Sequence, residues 1–397
     1  MPSHRQRILT MNRGSATLKS TLYEVGARDE ALLAISVTYT AAASAHLKIA
    51  DAKGTSLLDT SVKGSDSNAA LEAIFAWLDQ HEYLFGLAAA GHRLVHGGSR
   101  YHEPQRITPK FLSALEKLIP LDPDHLPAAI RGIRFVAKKF PKLPQVACFD
   151  TAFHSSLPTV AKMYALPRRF YDQGIRRYGF HGLSFEYIVG ELRKLDSKLA
   201  AGRVIIAHLG SGASIVALQN GKSMDTSMGF TPLEGLVMGT RSGTVDPGLV
   251  LWLIEHAKIA PDELTDVLEK RSGLVGLAGT PDMREVLARV SQGDAGAELA
   301  LAAYLHRLRG LIGSMAAALG GLDTLVFTGG VGENSAEIRA QAAAGLGFLG
   351  VALDEQRNAA ARGDTDITAP GAVVRGFVVA AREDIEIARQ VREVLRR

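Results

Sequence analysis

Two apolar runs, each broken by a turn of glycines and hydroxyls and then resumed, constrain this chain most. One is Val204-Ile205-Ile206-Ala207, then His208-Leu209-Gly210-Ser211-Gly212-Ala213-Ser214, then Ile215-Val216-Ala217-Leu218 and a turn at Asn220-Gly221. The other is Ile8-Leu9-Thr10-Met11, then Asn12-Arg13-Gly14-Ser15-Ala16-Thr17-Leu18-Lys19. Short apolar runs bounded by turn residues predict buried strands, and Asn-Gly predicts a tight hairpin. The shared plan predicts an internal duplication, each half offering one hairpin. Glycines flanking a serine let the backbone approach a ligand and leave amide hydrogens free to face an anion.

Between and after the hairpins, strand and helix patterns alternate. Leu33 to Thr40 and His46 to Ile49 read as strands, and Leu71, Ile74, Phe75 and Leu78 fall at helical spacing. Ile130, Ile133, Ala137 and Phe140 mark another helix before the apolar strand Val146 to Phe149. Further helices are expected at Leu249 to His256, Asp262 to Lys270, from Asp282-Met283-Arg284 onward, and at Ala297 to Ala318. Leu325-Val326-Phe327 and Val373 to Ala380 read as late strands, and Ile387, Val391, Val394 and Leu395 share one face of a C-terminal helix. Such alternation predicts α/β architecture with a mainly parallel sheet. The repeated hairpin predicts an N-terminal domain over 1–150 and a C-terminal domain over 151–383, with the helix 384–397 packing back on the first.

At 397 residues the chain is long enough for two such domains. Lys+Arg 45 against Asp+Glu 41 is nearly balanced and holds no long basic run, which argues against nucleic acid as a partner. No apolar run approaches the ~18–20 residues that cross a bilayer, so no membrane partner is expected. The stretch after the basic N-terminus is too short for a signal peptide. One cysteine, Cys148, lies in an apolar run, consistent with a reducing cytoplasmic setting.

Arg241, in Met238-Gly239-Thr240-Arg241-Ser242-Gly243-Thr244, is set among glycines and small hydroxyls, where a guanidinium suits bidentate contact with phosphate or carboxylate oxygens. Arg93, in Gly91-His92-Arg93-Leu94-Val95-His96-Gly97-Gly98, falls near a strand end, where ligands gather in open α/β sheets. The dehydrogenase reading of Gly210-Ser211-Gly212 fails, because the third glycine is absent and a hairpin follows where a helix is required.

Six blocks together resemble the signatures of the acetate kinase family, in its order and across almost the whole chain. They are Asn12 to Lys19, Gly91-His92-Arg93, Phe149-Asp150-Thr151-Ala152-Phe153-His154, Arg177-Tyr178-Gly179-Phe180-His181-Gly182, Gly239-Thr240-Arg241-Ser242-Gly243 and Gly329-Gly330-Val331-Gly332-Glu333-Asn334. The resemblance implies the fold of sugar kinases, Hsp70 and actin: two related α/β domains, each with a central mixed sheet, and a nucleotide cleft between them. It also implies a homodimer and reversible phosphoryl transfer from ATP, with Mg2+ or Mn2+, to acetate or propionate.

By the same resemblance Arg93 and Arg241 are the paired active-site arginines, and His181 donates to the transferring group. Asp150 positions groups around the metal and phosphoryl, since a carboxylate acceptor is already ionised and needs no base. Asn12 and Glu383 belong with the metal, and Asp384 is a candidate to share that role. Asn12, Ser15, Thr17 and Lys19 match the first phosphate turn. Nucleotide contacts are expected from His208, Gly210, Ser211, Gly212, Asp282, Met283, Arg284 and the run Gly330, Val331, Gly332, Glu333, Asn334. Val95, Leu121, Phe180 and Pro232 match the small apolar acyl pocket. A butyrate kinase, with a larger pocket, and an actin- or Hsp70-like ATPase without a small acceptor are the competing readings.

The chain departs from the family pattern in three places. Thr17 replaces serine and keeps the hydroxyl, and Ser211 stands where asparagine is usual. Asp122 follows Pro120-Leu121 where the family has histidine, which sets a negative charge toward a site that must collect anions. His125 is expected to turn inward and supply the lost donor, leaving Asp122 facing solvent or paired with a cation.

Overall fold

The computed structural model describes residues 6–14, 17–26, 29–39, 44–63 and 67–397. Ser15, assigned above to the first phosphate turn, lies outside them. The chain divides into two compact units. One comprises the residues up to Phe153 together with 182–187 and 382–397; the other comprises 154–181 and 188–381.

The first unit is built on an eight-stranded sheet. Its strands are β1 (Gln6–Arg13), β2 (Thr17–Val25), β3 (Glu30–Tyr39), β4 (Ser44–Asp51), β5 (Ser56–Lys63), β6 (Leu87–Leu94), β7 (Gln105–Arg106) and β8 (Gln145–Phe149). Their order is β5-β4-β3-β2-β1-β6-β8-β7. The first hairpin forms as predicted: β1 and β2 run antiparallel, with Asn12 opposite Lys19 and Arg13 opposite Leu18. β5 was not legible beforehand because, as an edge strand, it is mostly exposed and lacks an apolar alternation.

Helix Ser67–Gln80 lays Leu71, Ile74, Phe75 and Leu78 against the sheet beside Leu9, Met11, Leu33 and Ile35. Helix Leu126–Lys139 packs Ile130 and Ile133 against Leu94 and Phe149. The C-terminal helix, Glu383–Arg396, buries Ile387 and Val391 against Ile8, Ala89, Val146 and Cys148. Burying each such side chain contributes about 1.5–3 kcal/mol. Burial also raises the Cys148 thiol well above its ordinary pKa, which makes it an inert core residue.

The second unit holds a six-stranded sheet of β9 (Arg203–Leu209), β10 (Ala213–Gln219), β11 (Lys222–Thr226), β12 (Thr324–Thr328), β13 (Thr365–Asp366) and β14 (Arg375–Val378), in the order β11-β10-β9-β12-β14-β13. β9 and β10 form the second hairpin, with Leu209 opposite Ala213 and His208 opposite Ser214. That register leaves Gly210, Ser211 and Gly212 as the turn. The last long strand is shorter than expected: β14 starts at Arg375, and Val373 is 81% exposed.

The expectation of a mainly parallel sheet is corrected. Both sheets are mixed, with parallel pairing confined to β1-β6-β8 and β9-β12-β14. The remaining pairs are antiparallel. The physical reason lies in the connections. Tight turns can join only antiparallel neighbours, whereas parallel ones need a crossover of a dozen or more residues. Both units begin with hairpins and introduce crossovers later.

Candidate active site

In the first unit, β6 delivers Arg93 and the end of β8 delivers Asp150. Arg93 Nε donates to both Asp150 oxygens at 3.1 Å, and Nη2 donates to Oδ2 at 2.6 Å. Arg93 Nη1 donates to Asn12 Oδ1 at 3.1 Å, and Asn12 Nδ2 donates to Glu383 Oε2 at 2.8 Å. This network orients the Asn12 amide, oxygen toward Arg93 and nitrogen toward Glu383. Of the five guanidinium N–H groups three are committed, leaving one on each terminal nitrogen for an anion.

Asp150 is fully buried and Arg93 nearly so, at 14% exposure. Desolvation opposes the charge on Arg93, but Asp150 and Glu383 outweigh it and raise its pKa, so it stays a cation. Burial pushes the Asp150 carboxyl up, while Arg93 pulls it down. The bidentate geometry keeps the two as an ion pair.

Asp384 does not share the role expected of Glu383. Its Oδ2 accepts from Thr21 Oγ1 at 2.8 Å and from the Tyr23 hydroxyl at 2.7 Å, tying the C-terminal helix to β2. In the first turn, Gly14 N donates to the Thr17 carbonyl at 2.8 Å, and Lys19 is exposed. Val95 is buried and Leu121 half-buried in the same unit.

Asp122 does not face solvent. It is 6% exposed, and its Oδ1 lies 2.8 Å from His125 Nδ1. Its Oδ2 has no hydrogen-bond partner among the described residues. His125 stands within electrostatic reach of the Arg93–Asp150 pair. Asn at 122 keeps the oxygen acceptor, whereas Ala at 125 removes a donor. We expect His125→Ala to cut turnover roughly tenfold or more, and Asp122→Asn to cost clearly less. Steady-state kinetics of the two variants check this, and equal losses would refute it.

In the second unit, His181 caps helix Gly182–Leu195 in a left-handed conformation, φ 59°. Its Nδ1 is 2.9 Å from Ser214 Oγ on β10, and its ring stacks on His208 of β9 at 4.3 Å. Arg241 follows a turn closed by Met238 N donating to the Arg241 carbonyl at 3.1 Å. Arg241 Nη1 donates to the Pro232 carbonyl at 3.2 Å. A Cβ placed on Gly212 would lie 3.3 Å from Arg241 Nη1 and 3.7 Å from His181 Nε2. The two nitrogens therefore face one point beside the turn, and glycine keeps that point open.

A pocket of about 740 Å³ opens beside the same turn. Its lining includes Gly210, Ser211, Asp282, Met283, Arg284, Gly330, Val331 and Asn334. His208, Gly212, Gly332 and Glu333 do not line it. Glu333 instead holds the backbone, its Oε1 accepting from Gly329 N and Ala381 N, both at 2.9 Å. Asp282 caps helix Met283–Val290 and pairs with Arg284, whose side chain is 91% exposed. The size suits a nucleotide, and glycine backbone beside apolar side chains is the lining one requires.

Several positioning residues had no role in the sequence reading. His154 is buried between Ser223 Oγ and the Phe180 carbonyl, each 2.9 Å away, and burial lowers its pKa to about 4. As a neutral ring it holds the peptide that leads into His181. Arg177 Nη1 donates to the carbonyls of Thr226, Ser227 and Met228, and Nη2 donates to Glu234 at 2.8 Å. Tyr164 donates to the same carboxylate at 2.7 Å. That network braces the loop carrying Pro232. The only advance signal was the presence of His154 and Arg177 within the signature blocks.

The family model described as the acetokinase family matches residues 7–389. An acetate kinase of Rhodopseudomonas palustris is 42% identical over 389 residues, 97% of each chain. A propionate kinase structure from Francisella tularensis superposes with TM-score 0.91 at 36% identity, covering 97% of this chain and 98% of that one. An acetate kinase structure from Porphyromonas gingivalis gives TM-score 0.90 at 36% identity, covering 98% and 100%.

Proposed function

The chain belongs to the acetokinase family, and from that premise we propose that it transfers the γ-phosphoryl group of MgATP reversibly to acetate, giving acetyl phosphate and ADP. The observation that carries the reading is the β9–β10 turn. Gly210 and Ser211 border the nucleotide-sized pocket, and the next residue, Gly212, borders the point faced by Arg241 and His181. A nucleotide bound there presents its terminal phosphate to two donors, which is where charge develops in phosphoryl transfer.

The first unit carries a set of its own. Arg93 keeps two N–H groups for acceptor or phosphoryl oxygens and is held in place by Asp150 and Asn12. The carboxylates of Asp150, Glu383 and Asp122 outnumber Arg93 there. The amide oxygen of Asn12 and the carboxylate of Glu383, side chains joined by a hydrogen bond, are the hard-oxygen groups proposed for a divalent cation that completes its shell with water and phosphates. Among the described residues no three His, Cys, Asp or Glu side chains form a metal cage. Glu383 and Asn12 would hold the ion, and when bound it would neutralise phosphate charge.

Val95, Leu121, Phe180 and Pro232 are the proposed acyl contacts. One methylene changes transition-state binding in such a pocket by only ~1–3 kcal/mol, so propionate is a second substrate. A homodimer is part of the proposal. It is supported by helix Pro247–Glu255, which buries none of its residues and exposes Leu249, Leu251 and Trp252. No helix among the described residues is long and apolar enough to cross a membrane. The buried Cys148 thiol fits the cytoplasmic setting proposed for the enzyme.

Incubation with MgATP, hydroxylamine and a panel of carboxylates tests the reading. Acetyl and propionyl hydroxamates should form, and butyryl hydroxamate least. ATP hydrolysis with no hydroxamate would refute it.

A further inference from the structure

Helices Ser67–Gln80 and Leu126–Lys139 of the first unit pack on one another, and a pocket of about 490 Å³ opens between them. Arg131, Arg134, Lys138 and Lys139 line it against a single carboxylate, Glu72. Two of these cations are answered. Lys139 Nζ donates to Glu72 at 2.8 Å, and Arg134 pairs with Glu116. Arg131 and Lys138 are exposed and have no ion-pair partner among the described residues.

A third cation without a carboxylate partner among the described residues stands close by. Arg13 lines a smaller cavity beside the same two helices, with Leu71, Ala128 and Gly132. Its guanidinium lies over the Tyr39 ring at 3.8 Å, and its Nε and Nη1 are buried with no hydrogen-bond partner among the described residues. Burial lowers its pKa, Tyr39 offsets part of this, and the charge of Arg131 lowers it further. Arg131 is therefore near enough to repel Arg13, and an anion held at Arg131 would relieve that repulsion.

Arg131 and Lys138 are two helical turns apart, about 10 Å along the axis. Half-buried Phe135 lies between them on the same face. An arginine fork suits the oxygens of one phosphate, and a lysine ammonium acts as a point charge for another. The volume falls in the range of small-molecule sites. We propose that this pocket binds a small organic bisphosphate, one phosphate at Arg131, the other at Lys138, and its apolar body over Phe135. The site shares no residue with the proposed active site.

Isothermal titration with the α,ω-bisphosphate of hexanediol, run with saturating MgADP, reads this site. Wild type should take up one equivalent per chain. Arg131→Gln and Lys138→Gln should each weaken binding about tenfold or more, the worth of a hydrogen bond to a charged group. Arg131→Lys keeps the charge and should lose clearly less than Arg131→Gln. Hexyl phosphate, with one phosphate on the same chain, should bind about tenfold more weakly than the bisphosphate. Lys53→Gln, which removes a positive charge from an exposed turn elsewhere in the unit, should bind as wild type does.

Wild-type affinity in both glutamine variants would overturn the proposal, because the anion would then sit elsewhere, the active-site arginines included. An equal loss from Lys53→Gln would also overturn it, reducing the pocket to part of a diffuse surface charge. So would equal affinity for hexyl phosphate, or no binding of the bisphosphate by wild type.

Discussion

Arg93→Ala and Arg241→Ala are each expected to lower turnover by about 100- to 1,000-fold while ADP still binds. Loss of one preorganised donor to a developing anion typically costs that much. Neither arginine is among the residues lining the proposed nucleotide pocket, so affinity for ADP should change little. The two variants should differ in stability. Removing Arg93 strands Asp150, fully buried and bonded to it by Nε and Nη2. An uncompensated buried charge costs about 3–5 kcal/mol. Arg93→Ala should therefore melt well below wild type, and adding Asp150→Asn should restore much of the melting temperature but none of the turnover. Thermal denaturation and steady-state kinetics on the single and double variants separate the two effects. Near-normal turnover in either arginine variant would remove that residue from the proposed chemistry.

Gly212→Ala should leave the fold intact and cost about 100-fold in turnover. The backbone there does not adopt a positive φ, so alanine brings no conformational penalty. Its methyl would sit 3.3 Å from Arg241 Nη1 and 3.7 Å from His181 Nε2, filling the point both nitrogens face. A displacement of about 1 Å in a positioned catalytic group is enough for a loss of that size. His181 has little room to give, since Ser214 holds Nδ1 and His208 stacks on the ring. Melting temperature and ADP affinity close to wild type, with turnover lost, is the expected signature. Retained turnover would mean that the reacting phosphoryl group lies elsewhere.

The chain by itself determined its hairpins, most of its helices and the residue types at its site. Local patterns carry that information, because period and turn chemistry record which face is buried and where the backbone must bend. Hence both hairpins, the Gly329-Gly330 run, and Arg93 and Arg241 stood out in the sequence. Tertiary structure decided the partners. Asn12 meets Glu383 across 371 residues, and Asp384 is taken up by Thr21 and Tyr23. No local pattern could tell those two neighbouring acids apart, because the direction each side chain takes depends on how the C-terminal helix packs against β1 and β2. The mixed sheets and the inward Asp122 beside His125 arise in the same way. Each depends on which surfaces meet after folding, and a sequence specifies that only through the sum of its packing.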